Sequence, residues 1–112
     1  MRVLLLCYMK TYKVYQSKNF TDKLIKLPKD FKEWVEKIQD QLATNPYTGK
    51  PLGVDWLREK KYGKYRIYYL VYEDFVAVFM VEISEKKDQQ KIINTIRFFL
   101  DMYRDELREL NE

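Results

Sequence analysis

Three strand-forming runs follow one another with only two residues between neighbours: Asp55 to Tyr62, Tyr65 to Tyr72 and Phe75 to Ser84, parted by Gly63-Lys64 and by Glu73-Asp74. A two-residue spacer closes a hairpin but cannot hold a crossover, which takes about a dozen residues or more. The runs therefore predict an antiparallel meander, and the rest of the chain must arrange itself around that sheet. Upstream, Thr11 to Gln16 alternates apolar with polar residues and predicts a first strand, and Ser17-Lys18-Asn19 after it offers helix caps. Phe20, Leu24 and Leu27 then recur at helical spacing up to Pro28, and Phe31, Trp34, Val35, Ile38 and Leu42 carry the pattern on to Asn45-Pro46. Proline has no N–H for a helix interior but suits a turn or a first helical position, so Pro28 predicts the hinge of a helical hairpin. Asn45 to Gly53 holds two of the three Pro and two of the three Gly and predicts a loop. From near Asp88, Ile92, Ile93, Ile96, Phe99, Leu100, Tyr103, Leu107 and Leu110 mark the apolar face of one long C-terminal helix. The order β-α-α-β-β-β-α is an α+β fold with helices over one face of an antiparallel sheet.

With 112 residues the chain has room for one core, so residues 1–112 are expected to form one domain, with 1–10 a possible N-terminal extension and 85–112 the C-terminal helix. There is no His, and the single Cys is Cys7. That removes Ser-His-Asp and Cys-His nucleophilic pairs, HExxH zinc sites and histidine-based nuclease acids and bases; no metal or cofactor is expected. A lone Cys makes no internal disulfide, and Cys7 reads as a small buried residue. The apolar run in Met1 to Met9 reads as a strand extension. No stretch approaches the ~18 apolar residues of a membrane span, so no membrane partner and a cytoplasmic location are expected.

Twenty-one Lys and Arg stand against 17 Asp and Glu, a net charge of +4. The excess is concentrated in residues 50–66, where Lys50, Arg58, Lys60, Lys61, Lys64 and Arg66 meet only Asp55 and Glu59. By strand alternation Tyr65, Ile67, Tyr69 and Val71 point to the core, and Arg66, Tyr68, Leu70 and Tyr72 point to the opposite surface. In the preceding run Arg58, Lys60 and Tyr62 share one parity and are placed beside them. A surface both cationic and aromatic suits single-stranded nucleic acid, because the charges neutralise phosphates while the rings stack on unpaired bases. Trp34 and Trp56 read as packing residues.

The segments YKVYQSKNFTDKLIKLPKD, NPYTGKPLG, WLREKKYGKYRIYYLVYED and VAVFMVEISEKKD follow in that order, with G-x-Y-R-I-Y-Y after a basic strand the most diagnostic. In these segments, from about Thr11 to Ile93, the chain resembles the RelE/ParE superfamily of toxins from toxin–antitoxin pairs, archaeal RelE-like members in particular. The resemblance implies a RelE-like fold and an endoribonuclease that cuts mRNA, usually in the ribosomal A site, without metal, and is silenced by an antitoxin wrapped around it. It places the Arg of the family's Tyr-Arg pair on Arg66, assigned to the phosphate, and the basic residue after the last strand on Lys86 or Lys87, the proton donor. RNA cleavage by its own 2′-hydroxyl also needs a base, either a Lys whose pKa is lowered by neighbouring cations or a Tyr, and Lys60 is the choice because Arg58, Lys61 and Arg66 are expected to crowd it. Arg58, Lys61, Lys64, Tyr62 and Tyr68 are the expected RNA contacts. RelE-type enzymes often carry a Tyr near the start of the last helix, where this chain has Ile92 or Ile93. A ParE-like member would share the fold and bind DNA gyrase instead; a third alternative is a catalytically inactive RNA- or partner-binding module.

Periodicity also selects the packing. Phe20, Leu24, Leu27, Trp34, Val35 and Ile38 are expected on the sheet face that carries Ile67, Tyr69, Val71, Ala77, Phe79 and Val81. The apolar stripe from Ile92 to Leu110 is longer than the expected sheet can cover, so its surplus is expected to dock an antitoxin or to form a homodimer.

Overall fold

A computed structural model describes residues 11–112; Met1 to Met9, with the expected strand extension and Cys7, lie outside the described residues. Strand β1 (Lys13–Gln16) passes through Ser17 into helix α1 (Lys18–Leu24), whose first turn is capped by Ser17 Oγ accepting from the Phe20 N–H at 3.0 Å. Pro28 stands immediately before α2 (Lys29–Thr44), so the hairpin hinges where its ring geometry predicts. The loop that follows holds a turn of 3-10 helix (Pro46–Thr48) and a two-residue strand, β2 (Lys50–Pro51). The meander is β3 (Leu57–Tyr62), β4 (Tyr65–Tyr72) and β5 (Ala77–Glu85). A second 3-10 turn (Lys86–Asp88) opens α3 (Gln89–Phe98), and α4 (Leu100–Asn111) follows. Phe99, at φ −103° and ψ 22°, breaks what periodicity reads as one helix.

Gly63, at φ +59°, occupies the first central position of the β3–β4 hairpin, where a II′ turn needs a left-handed residue. The second connection is longer than the expected Glu73-Asp74: Tyr72 pairs with Ala77, and the turn includes Val76 at φ +47°.

The sheet order is β1-β5-β4-β3-β2, and β1 runs parallel to β5, with Lys13 opposite Ala77. The sheet is therefore mixed rather than antiparallel throughout. A strand that reaches its neighbour through both helices and the whole meander is not bound by a tight turn to run antiparallel.

Helices cover both faces of the sheet, not one. On the first face Phe20, Phe31, Val35, Ile38 and Leu42 bury against Ile67, Tyr69, Val71, Val78, Met80 and Ile83, with Leu24, Leu27 and Trp34 packed at the margin. On the second, Ile96, Tyr103 and Leu107 of α3 and α4 bury against Leu57, Tyr68, Leu70, Ala77, Phe79 and Val81. The cause lies in the central strands YRIYYLVY and AVFMVEISE, which are apolar on both parities over much of their length, as strands sandwiched between layers are. Ala77, Phe79 and Val81 thus belong to the second core and not to the expected first one. Antiparallel pairing sets Val71 opposite Val78 and Tyr69 opposite Met80, so the even-numbered residues of β5 share the hairpin face. A bulge between Tyr68 and Tyr69 then shifts the register and returns Ile83 to that face. Not all of the C-terminal apolar surface is covered: Phe98 is 81% exposed and Met102 52%.

Candidate functional site

The two-residue turn at Gly63-Lys64 fixes which charged residues meet. Tyr62 faces Tyr65, so Lys61, not Lys60, stands opposite Arg66, while Glu59 stands opposite Tyr68 and Lys60 opposite Ile67. Arg66, Lys61 and Glu59 share one face of the sheet. Arg58, Lys60 and Tyr62 lie on the other, toward the helical hairpin, which corrects their expected placement beside Arg66.

Among the described residues, strand β2 pairs only with Arg58 and Glu59, and no other strand pairs with the outer edge of β3 from Lys60 onward. An open cleft of about 540 Å³ wraps around that edge. Its lining holds five cations, Lys50, Lys60, Lys61, Arg66 and Lys86, against a single carboxylate, Glu59. Trp34 and Ile38 line the hairpin side, and Thr48, Gly49 and Gln89 complete the wall. Gly49 cannot carry a side chain there: a Cβ would sit 2.5 Å from Tyr69 Oη and 2.6 Å from the Glu59 carbonyl oxygen.

Arg66 is 8% exposed, and its Nη1 donates to the carbonyls of Gly63 and Tyr65, both at 3.1 Å. The rest of its guanidinium makes no bond to the described residues and remains available to the cleft. Lys61 and Lys86 are exposed, and the Lys86 N–H donates to the Lys64 carbonyl at 2.7 Å, tying the turn before α3 to the hairpin tip. Lys60 Nζ donates to Gln41 Oε1 at 2.5 Å. Partial burial holds its pKa below the ordinary lysine value; the crowding by cations expected from the sequence is not the cause. Glu59 is 6% exposed, and both of its carboxylate oxygens accept from Gln89 Nε2, at 2.9 and 2.7 Å.

The other expected RNA contacts have structural employment. Arg58 is 8% exposed, and its Nε, Nη1 and Nη2 donate to the carbonyls of Gly49, Asp55 and Tyr47 at 2.9, 3.0 and 3.0 Å; it pins the loop before β3 rather than facing solvent. Tyr68 is fully buried, its hydroxyl 2.8 Å from Ser84 Oγ, with its pKa pushed up by burial; no base can stack on it. Tyr62 packs against Trp34 and Phe31 with ring centroids 5.1 and 6.0 Å away and donates to Asp30, which raises its pKa. Lys64 lies 3.6 Å from Glu85 and over the Tyr65 ring, and Lys87 is exposed but does not line the cleft.

Sequence reasoning passed over Glu59, Gln89 and Lys50, and left Trp34 to packing. Glu59 carried a signal: with the hairpin closed over two residues, it falls on the same face as Arg66 and Lys61. Gln89 carried none, since the start of α3 reaches the cleft only through the fold.

An α+β fold with two helices before a meander and a cationic cleft at its edge defines the class. Residues 14–90, more than half of the chain, match the family described as the ParE toxin of type II toxin–antitoxin systems, parDE. The chain belongs to that family, within the RelE/ParE superfamily of toxins. Its fold is similar to an arginine-to-alanine double mutant of the E. coli toxin RelE in the free state, with a TM-score of 0.63 at 19% identity over 71% of this chain and 88% of that one. It is similar also to the Mycobacterium tuberculosis RelBE2 toxin–antitoxin complex (TM-score 0.60, 23% identity, 69% and 93% covered). The archaeal RelE–RelB complex from Pyrococcus horikoshii OT3 gives a TM-score of 0.59 at 23% identity, with 67% and 94% covered. At these identities the likeness carries the fold. Among curated proteins, no sequence matches this chain. Among the described residues no helix is long and apolar enough to cross a membrane.

Proposed function

We propose that this chain is an endoribonuclease toxin that cuts mRNA on the ribosome, in the cytoplasm, by driving the RNA's own 2′-hydroxyl onto the adjacent phosphorus. The observation that carries this is the placing of one buried carboxylate, Glu59, among Lys61, Arg66 and Lys86 in one open cleft. Glu59 takes the proton from the 2′-hydroxyl as the O2′–P bond forms. Arg66 holds the non-bridging oxygens through its free guanidinium edge and stabilises the charge that builds up on the phosphorane. Lys86, assisted by Lys61, protonates the 5′-oxygen as the P–O5′ bond breaks, leaving a 2′,3′-cyclic phosphate and a 5′-hydroxyl. Lys50 and Lys60 contact flanking phosphates. In this reading the base is Glu59 rather than Lys60, whose amine is engaged by Gln41 on the hairpin side. Lys87 extends the positive field outside the cleft.

A cognate antitoxin is the expected protein partner, since the M. tuberculosis and P. horikoshii structures are toxin–antitoxin complexes. The exposed Phe98 and Met102 are a docking surface for it or for a second copy of this chain. The test is incubation of the purified protein with translating ribosomes, followed by mapping of new mRNA 5′ ends. Cleavage that disappears in Arg66→Ala supports the proposal. A second reading, gyrase binding without cleavage, is favoured by the family match to ParE toxins. Gyrase inhibition by a protein that leaves mRNA intact would establish it.

A further inference from the structure

The cleft contains an arrangement that the cleavage chemistry alone does not require. Glu59 is enclosed by charged and titratable groups: Lys50 from β2, Lys61 from its own strand, Arg66 and Tyr68 from β4, and Lys86 from the turn before α3, with Lys60 on the opposite face of the sheet. Yet none of the described cations lies within ion-pair distance of its carboxylate. The partner it has is neutral: the Gln89 amide donates to both of its oxygens.

We infer that Gln89 is the positioning residue of the base, a neutral clamp that holds the Glu59 carboxylate toward the cleft and out of a salt bridge with Arg66, Lys61 or Lys86. The inference rests on the endoribonuclease reading above. A carboxylate locked to a guanidinium or ammonium loses basicity and ties up the cation needed at the phosphate. A primary amide satisfies the buried oxygens without adding charge. Gln89 is suited to the task because it is the first residue of α3, so its backbone is fixed by the fold while its side chain spans from the second helical layer to β3. Its role is orientation; it touches neither the scissile phosphate nor the 2′-hydroxyl.

The experiment measures single-turnover mRNA cleavage on programmed ribosomes across pH, with thermal melting and RNA binding as parallel readouts, for wild type, Glu59→Gln, Gln89→Leu and Gln89→Lys. Gln89→Leu should slow cleavage roughly a hundredfold, the scale of a base displaced by about 1 Å, with RNA binding unchanged. Freed from its neutral donor, the carboxylate pairs with Arg66, Lys61 or Lys86, which favours its charged form, so the acid limb of the rate profile should move down. Gln89→Lys keeps a donor but adds charge, so its acid limb should move down. Glu59→Gln should abolish the limb. Wild-type cleavage by Gln89→Leu, or slower cleavage with the limb unmoved, overturns the inference and leaves the nuclease reading intact. Should Gln89→Leu not fold, an unmoved limb in Gln89→Lys overturns it equally. A wild-type protein that cleaves nothing overturns both.

Discussion

Arg58 is the residue whose expected and observed roles differ most, and Arg58→Ala separates them. The side chain loses three charge-assisted hydrogen bonds, to the carbonyls of Gly49, Asp55 and Tyr47, and a cation–π contact 5.3 Å from the Tyr47 ring centroid. Hydrogen bonds to a charged donor contribute about 1.5–3 kcal/mol each, and a cation–π contact at an exposed ring about 0.5–1 kcal/mol. Asp55 and Tyr47 are exposed, so water partly replaces the guanidinium there; Gly49 is buried and its carbonyl is left bare. A net loss of about 3–5 kcal/mol follows, a large fraction of the stability of a domain this size. At about 4 °C per kcal/mol, that lowers the melting temperature by roughly 12–20 °C. Arg58→Lys keeps the charge but not the three-pronged geometry and should recover less than half of the loss. The assay is thermal and urea unfolding, alongside the salt dependence of RNA binding at a temperature where both variants are folded. A phosphate contact would behave oppositely, lowering the salt slope by about one with little change in melting. Melting of Arg58→Ala within roughly 4 °C of wild type would refute the structural assignment.

Arg66→Ala should stay folded and lower the single-turnover cleavage rate roughly a hundredfold to a thousandfold, about 2.7–4 kcal/mol of transition-state stabilisation, with a smaller effect on binding; cleavage at the wild-type rate removes Arg66 from the mechanism. Gly49→Ala should cost about 1–3 kcal/mol in urea unfolding, because the added methyl meets a buried phenol and backbone. Tyr103 has its pKa pushed up to about 12, first by burial and then by the charges of Glu82 and Glu106. The fold therefore favours the neutral phenol, and the associated stability is fully present below the unfolded value of 10.0 and lost as pH rises toward about 12. Urea midpoints taken through that window should fall, and Tyr103→Phe should make the fall shallower; an equal slope in both proteins counts against the shift.

Much of the architecture was legible. The strand runs, the hinge at Pro28 and the two-residue turn at Gly63-Lys64 come from local chemistry: ring geometry, left-handed backbone and side-chain period. The pairing across that turn was equally local, and following it places Lys61 and Glu59 on the face of Arg66. Treating Arg58, Lys60 and Tyr62 as one parity with Arg66 ignored the reversal a hairpin imposes. Three features had no local signal. The bulge at Tyr68/Tyr69 depends on how two strands share a twisted surface. The direction of β1 depends on an edge that exists only once β5 is in place. The burial of Arg58 depends on a loop folding back to present three carbonyls, so a cation chosen by composition for phosphate proved to be a loop anchor.

The parallel join of β1 to β5 sets the order in which the molecule assembles. The hairpins of the meander close across a few residues, whereas Lys13 must find Ala77 across both helices and three further strands. Closing a loop that long costs about 3 kcal/mol more in chain entropy than closing a two-residue turn, by the (3/2)RT ln n rule. Until β5 exists there is no edge to receive β1, and until β1 docks the N-terminal hairpin is tethered to the sheet only through its own packing. Non-local pairing of this kind raises contact order and slows folding. The step that closes the β1 edge is accordingly a late one, and during it the flank of β5 is a further strand edge open to a foreign chain, beside the outer edge of β3.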